Sequence, residues 1–159
     1  MLTLVQSVAT IVLASLAVQD VRARRLSNRA VLTFAMLYFV AAALARDGIG
    51  PVGGHVATAA AMLLLFGWFR HAGWIGGGDV KLAAAVFLWA GPALAFPVLT
   101  TVGAGGVICG VAMIAAGAWQ RRTAPVHPVA VRGAPYGVAL ALGGALAVWA
   151  PWPHAVTLT

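Results

Sequence analysis

Residues 79–118 read DVKLAAAVFLWAGPALAFPVLTTVGAGGVICGVAMIAAGA, and no charged side chain follows Lys81 in this stretch. The run is long enough for two membrane-spanning helices, because each needs roughly 17–25 apolar residues to cross about 30 Å of hydrocarbon. A Gly-Pro pair beginning at Gly91, together with Pro97, is the only interruption. We therefore expect a turn between 91 and 103, with a single bent span as the alternative.

The composition of the whole chain agrees with a membrane protein. Of its 159 residues 62% are hydrophobic and 8% are charged, whereas soluble domains average about 45–50% apolar and about 25% charged residues. Too few polar side chains are present to cover a soluble domain of this size. The sequence predicts an all-α, polytopic membrane protein with about six transmembrane helices and one domain over 1–159, without a separate soluble domain. The predicted spans are 2–19, 30–45, 52–69, 79–97, 98–118 and 134–152.

The basic residues test this count and predict the topology. If six spans alternate in direction, nine of the ten Lys and Arg residues fall on one side, and only Arg46 falls on the other. The positive-inside rule assigns the basic side to the cytoplasm and both termini to the outside. A five-span arrangement would put the last basic loop on the wrong side. The net charge of +7 is thus a topology signal with possible acidic-lipid contact, and we expect no nucleic-acid partner.

Three aspartates are the only acidic residues. Asp20 and Asp79 fall at the cytoplasmic ends of the first and fourth predicted spans, where an ionisable group is costly and marks a functional site. Asp47 falls in the opposite loop beside Arg46, where it can stay solvated. Two carboxyl groups about 3 Å apart share one proton and titrate as a unit. Such a pair supplies a base for water and an acid for the scissile carbonyl, as aspartyl proteases require.

Three glycines precede the second acid. Gly76, Gly77 and Gly78 would let the backbone approach Asp79 closely and adopt conformations that other residues avoid. The single cysteine, Cys109, lies in an apolar stretch, and the four histidines show no metal-ligand spacing. We therefore expect no metal and no cofactor.

Three motifs in this order resemble the type IV prepilin peptidase family of GxGD aspartyl proteases. The first is the stretch from Asp20 through a basic run to Leu26-Ser-Asn28, with Ser27 where the family usually has proline. The second is Gly76-x-Gly-Asp-x-Lys81, and the third is Ala134-Pro-Tyr-Gly137. The pair of Cys-x-x-Cys motifs of the long, methylating members is absent. The chain therefore resembles the short, peptidase-only form of tight-adherence (Flp-type) pilus systems.

The resemblance implies an endopeptidase that removes the leader from prepilins at the cytoplasmic face of the bacterial inner membrane. It implies catalytic roles for Asp20 and Asp79. The residues that it implies as supporting or substrate-binding are Gly76, Gly77, Gly78, Lys81, Asn28 and Tyr136.

Several alternatives stay open at this point. Lys81 either anchors its helix at the membrane interface or acts on Asp79 or the substrate. Tyr136 either hydrogen-bonds near the acids or lies at the interface. At the level of function, a proton- or cation-coupled transporter and a non-catalytic pilus-assembly subunit are the alternatives. Transporters of that kind usually place acids near the midplane of a repeated fold, and no repeat is evident here.

Overall fold

A computed structural model of the chain describes residues 1–23, 25–123 and 136–151. These residues form helices and no strand, as expected where lipid leaves every backbone polar group to be satisfied internally. The helices are α1 (Leu2–Ala23), α2 (Asn28–Ala45), α3 (Ile49–His71), α4 (Gly77–Thr123) and α5 (Tyr136–Trp149). The predicted polar loop at 119–133 and the start of the last predicted span lie mostly outside the described residues.

Four of the described helices, not six, are long and apolar enough to cross a membrane: Leu2–Ala23, Asn28–Ala45, Ile49–His71 and Gly77–Trp119. Among the described residues the count is therefore four and not the predicted six. The predicted spans 79–97 and 98–118 fall within one 47-residue element that is interrupted at Gly91, and α5 has 14 described residues, fewer than the length required for this count. Many large apolar side chains remain exposed on these helices, among them Leu64, Phe96 and Ile114, which suits contact with lipid.

Helix α4 is interrupted at Gly91, where φ is 59° and ψ is −172°. We call residues 77–90 the first arm and residues 92–123 the second arm. Along the second arm, Val98 approaches Gly143 of α5, and Gly106 approaches Tyr136 near the start of α5. The second arm and α5 therefore run in opposite directions.

The first arm runs the other way. Its start shares a cavity with Asp20, which contacts Gly137 near the start of α5. Val86, two turns further along, approaches Gly144. The first arm is thus parallel to α5 and antiparallel to the second arm, so the chain reverses at the edge of the predicted turn region, 91–103.

His55 of α3 stabilises this reversal. Pro92 has no N–H to donate to the carbonyl of Leu88, its partner four residues back. The Nδ1 atom of His55 donates to that carbonyl oxygen over 2.8 Å. A Cβ atom at Gly91 would collide with the His55 ring, and φ is positive there. Glycine is therefore required at 91 for both space and conformation.

Aromatic packing joins α2 to the first arm beside this point. The rings of Phe34 and Trp89 stack with centroids 5.6 Å apart, and Trp89 Nε1 donates to the Phe34 carbonyl over 3.0 Å. Tyr38 stacks on His55 at 5.1 Å. These contacts hold α2, α3 and α4 together at the end of the molecule opposite the acids.

Small residues let α5 lie closely between α1 and α4. A Cβ at Gly144 would stand 2.9 Å from Leu13 of α1, and one at Gly143 would stand 2.7 Å from Val102 of α4. Gln6 of α1 is buried and donates to the carbonyl of Val148 over 2.9 Å. Helix α5 therefore fixes the position of α1 relative to α4, on which the site depends.

Candidate active site

One cavity of about 350 Å³ receives residues from both predicted motifs. It lies where α1 ends and where α2 and α4 begin. Its lining consists of Asp20, Arg25, Leu26, Asn28, Gly76, Gly77, Gly78 and Asp79. Six of the eight residues predicted for the site therefore line one space, although the two motifs are about fifty residues apart in sequence.

Asp20 lies one turn before the end of α1 and is only 6% exposed. Its Oδ2 atom accepts a hydrogen bond from the backbone N–H of Gly137 over 2.8 Å. This N–H belongs to the first turn of α5, whose amide groups lack partners within the helix. A Cβ atom at 137 would stand 2.7 Å from Oδ2 and 2.8 Å from Cγ of Asp20. The start of α5 thus positions the carboxyl group, and only glycine allows this approach.

Asp79 is the third residue of α4, and its carboxyl group is half-buried. It accepts a hydrogen bond from the backbone N–H of Gly76, the residue before the helix. An acidic side chain that reaches back from this position to the residue before the helix is half of a capping box. The same contact that starts the helix therefore fixes the second carboxyl group.

The two carboxyl groups interact electrostatically and line the same cavity. Asp20 and Asp79 are each fixed by a backbone N–H at the start of a helix. A pair of this kind can deprotonate a water molecule with one carboxylate and protonate a carbonyl oxygen with the other carboxyl group. Asp47 lies at the opposite end, after α2, and lines a different cavity.

The three glycines matter here because of their small size. Gly77 lies under the guanidinium group of Arg70, and a Cβ at Gly78 would stand 3.2 Å from Leu26. A Cβ at Gly76 would stand 2.9 Å from Oδ2 of Asp79. The prediction that these three glycines adopt a special backbone conformation is wrong, since positive φ values among the described glycines occur at Gly73 and Gly91 only. The expected close approach to Asp79 does occur.

Lys81 and Tyr136 do not line the cavity. Lys81 points to the other side of α4, and its Nζ donates to Oδ1 of Asn28 over 3.1 Å. Tyr136 places its ring against Gly106 of the second arm, where a Cβ would stand 2.6 Å from the hydroxyl oxygen. The contact to Asp20 comes instead from the backbone of Gly137, the next residue.

Four residues near the site were not singled out by the sequence. Gly137 was quoted only as part of the Ala134-Pro-Tyr-Gly137 motif, and a glycine at the start of an apolar run is the signal that could have found it. Arg25 and Leu26 line the cavity, and Arg70 covers Gly77. Among the described residues, no three His, Cys, Asp or Glu side chains form a group that could hold a metal ion. The expected absence of a metal and of a cofactor stays a prediction.

A comparison with protein families gives a match over residues 7–119, to a family described as the type IV leader peptidase family. The matched region includes both acids and ends near the end of α4. No curated protein and no solved structure matches the chain.

Proposed function

The chain belongs to the type IV leader peptidase family, and we propose that it is an aspartic endopeptidase that cleaves the leader from type IV (Flp-like) prepilins. Family membership identifies the chain as a peptidase. The observation that carries the aspartic assignment is the pair Asp20 and Asp79, which line one cavity from two different helices.

The proposed reaction needs one ionised and one protonated carboxyl group. A water molecule between Asp20 and Asp79 loses a proton to the carboxylate as it attacks the scissile carbonyl carbon. The protonated carboxyl group donates its proton to the carbonyl oxygen, and a tetrahedral intermediate forms. The carboxyl group that took the proton from water then gives it to the leaving amine as the C–N bond breaks, and a hydroxyl group of the intermediate returns a proton to the other carboxylate, so the pair ends with one proton again.

We place this chemistry at the cytoplasmic face of the inner membrane. The acids share their end of the molecule with Arg22, Arg25, Arg29 and Arg70, whereas Arg46 lies at the other end. The positive-inside rule orients such a distribution with the basic end in the cytoplasm. Reporter fusions test it: a fusion at Gly73 should report the cytoplasm and one at Asp47 the outside. The reverse result would place the acids on the wrong face for a cytoplasmic precursor.

Cleavage by the purified protein is the direct test. The protein in detergent is mixed with a precursor pilin, and the expected product is the shortened pilin, whose mass locates the cut. The Asp79→Asn protein serves as the negative control. Wild-type protein that leaves every Flp-like precursor intact, while inserted and folded, would contradict the proposed activity and favour a non-catalytic assembly subunit.

A further inference from the structure

The chain contains one lysine and one asparagine, and their side chains meet beside the cavity. Lys81 Nζ donates to Oδ1 of Asn28 over 3.1 Å. Because an ammonium group has only donors, the amide atom that faces it must be the oxygen. The oxygen and nitrogen of a planar amide diverge, so the NH₂ group of Asn28 points away from Lys81.

Asn28 lies between a cavity and a groove. It lines the acid-containing cavity, and it also lines an apolar groove of about 500 Å³ between α2, α3 and α4. Lys81 lines the groove and not the cavity, because two residues along a helix amount to a rotation of about 200° away from Asp79. The amide oxygen of Asn28 therefore faces the groove side, and its NH₂ group faces the cavity that holds the acids.

Few side chains in the cavity can donate a hydrogen bond to a substrate. Asp20 and Asp79 share one proton in the proposed reaction, Leu26 has no polar group, and Arg25 is a charged donor in the link before α2. Asn28 is the neutral donor among the lining side chains, and it is held at the first turn of α2. An extended peptide that binds in the cavity exchanges water for protein donors at its backbone carbonyl groups.

We propose that the NH₂ group of Asn28 donates a hydrogen bond to a backbone carbonyl oxygen of the substrate next to the scissile bond, and that Lys81 is the positioning residue that fixes this orientation. The inference rests on the proposed function. It assigns Lys81 an effect on catalysis that passes through Asn28 and not through direct contact with Asp79.

Asn28→Asp is the most informative variant, since it keeps the size of the side chain and the contact with Lys81 but replaces the donor with an oxygen. We expect it to lower kcat/KM about 10- to 100-fold, as much as Asn28→Ala does, because the substrate loses its alignment. A merely structural role would leave Asn28→Asp close to wild type when each protein is measured at its own pH optimum, which the added carboxylate near Asp20 and Asp79 can move. Asn28→Gln, which retains the NH₂ group, should recover part of the activity.

A double-mutant cycle tests the role of Lys81. Lys81→Met should lower kcat/KM several-fold in the wild-type background, and Lys81→Arg should restore it. In the Asn28→Ala background Lys81→Met should have no further effect, since nothing remains to be positioned. Additive losses from Lys81→Met and Asn28→Ala would show that Lys81 acts independently and would overturn its assignment.

A spectroscopic measurement separates this inference from the proposed activity. Selective ¹⁵N labelling of asparagine gives one side-chain amide pair in the NMR spectrum, because Asn28 is the sole asparagine. The pair should shift in Lys81→Met protein, and again when wild-type protein binds a precursor peptide with an N-methylated scissile amide. Wild-type protein that cleaves no precursor would contradict the proposed function. Wild-type cleavage with a fully active Asn28→Asp variant, or an unchanged amide pair on peptide binding, would overturn this inference alone.

Discussion

Two cavities of similar volume lie at opposite ends of the helices. They differ in the partners of the polar groups that line them. The acid-containing cavity has about 350 Å³. The opposite one has about 370 Å³ and includes Asp47 and His55 in its lining. At the opposite end, His55 already bonds to the carbonyl that Pro92 leaves without a donor. At the acid end, Asp20 and Asp79 come from different helices and interact with each other.

The comparison teaches that cavity size does not by itself indicate chemistry. The decisive difference is that two groups of the same kind converge on one space and are held there by backbone N–H groups. His55, in contrast, stabilises the fold, because it donates a hydrogen bond to the carbonyl of Leu88 at the reversal of α4. The predictions that follow alter one end while the other serves as the reference.

Removal of either acid should have the largest effect. Asp20→Asn and Asp79→Asn should each lower cleavage by about 100- to 10,000-fold, because one carboxyl group cannot act as both acid and base. Both variants should insert normally, since the Asn oxygen can still accept from Gly137 or Gly76. Asp47→Asn is the matched control at the opposite end and should cleave at the wild-type rate. Cleavage rates per folded protein provide the measurement, and near wild-type activity in either of the first two variants would exclude the pair as acid and base.

A methyl group at Gly137 should have the next largest effect on cleavage. Gly137→Ala places Cβ 2.7 Å from Oδ2 of Asp20, so the carboxyl group must move, and a shift of about 1 Å costs on the order of 100-fold. Gly103→Ala is the control, because nothing lies within 4 Å of its Cβ. We expect kcat to fall for the first variant and not for the second. Equal activities would mean that the position of Asp20 does not limit the reaction.

Loss of the His55 side chain should affect stability more than cleavage. His55→Ala leaves the carbonyl of Leu88 without its donor, which costs about 1–3 kcal/mol for a buried polar group. Thermal unfolding in detergent should show a lowered Tm. Cleavage per folded molecule, measured below that temperature, should stay near wild type. A loss of cleavage without a change in Tm would show that the two ends are coupled.

Chelation should have the smallest effect. The mechanism uses two carboxyl groups and water, so strong chelators should leave the cleavage rate unchanged. Inhibition by EDTA that added zinc reverses would require Asp20 and Asp79 to be interpreted as metal ligands.

The sequence predicted the all-helical fold and the acid pair for a physical reason. Asp20 and Asp79 stand out because charge is rare in this chain, and the distribution of basic residues predicts that they lie at one end. The break in α4 was expected between 91 and 103, since Gly91 and Pro92 interrupt a run that is otherwise apolar and uncharged. The family match confirms the suspected relationship.

Other features depend on distant contacts that spacing alone does not reveal. Gly137 is 117 residues from Asp20, so its role depends on how α5 packs against α1. His55 was assigned no chemistry because the four histidines show no metal-ligand spacing, and that spacing does not reveal its partner, a backbone carbonyl on another helix. The number of spans differs from the prediction because residues 79–118 form one element interrupted at Gly91 and because α5 has only 14 described residues. Lys81 follows Asp79 by two residues, and a helical rotation of about 100° per residue puts the two side chains on different faces of α4.

The short first arm of α4 has a consequence for the surrounding lipid. Its residues 77–90 extend about 21 Å at 1.5 Å per residue, whereas a hydrocarbon layer is about 30 Å thick. A segment shorter than the layer is accommodated by local thinning of the bilayer. Where the bilayer thins beside the first arm, the headgroup region and its water come closer to Asp79. The length of one half-helix thus links the hydration that we expect at the acids to the thickness of the host membrane.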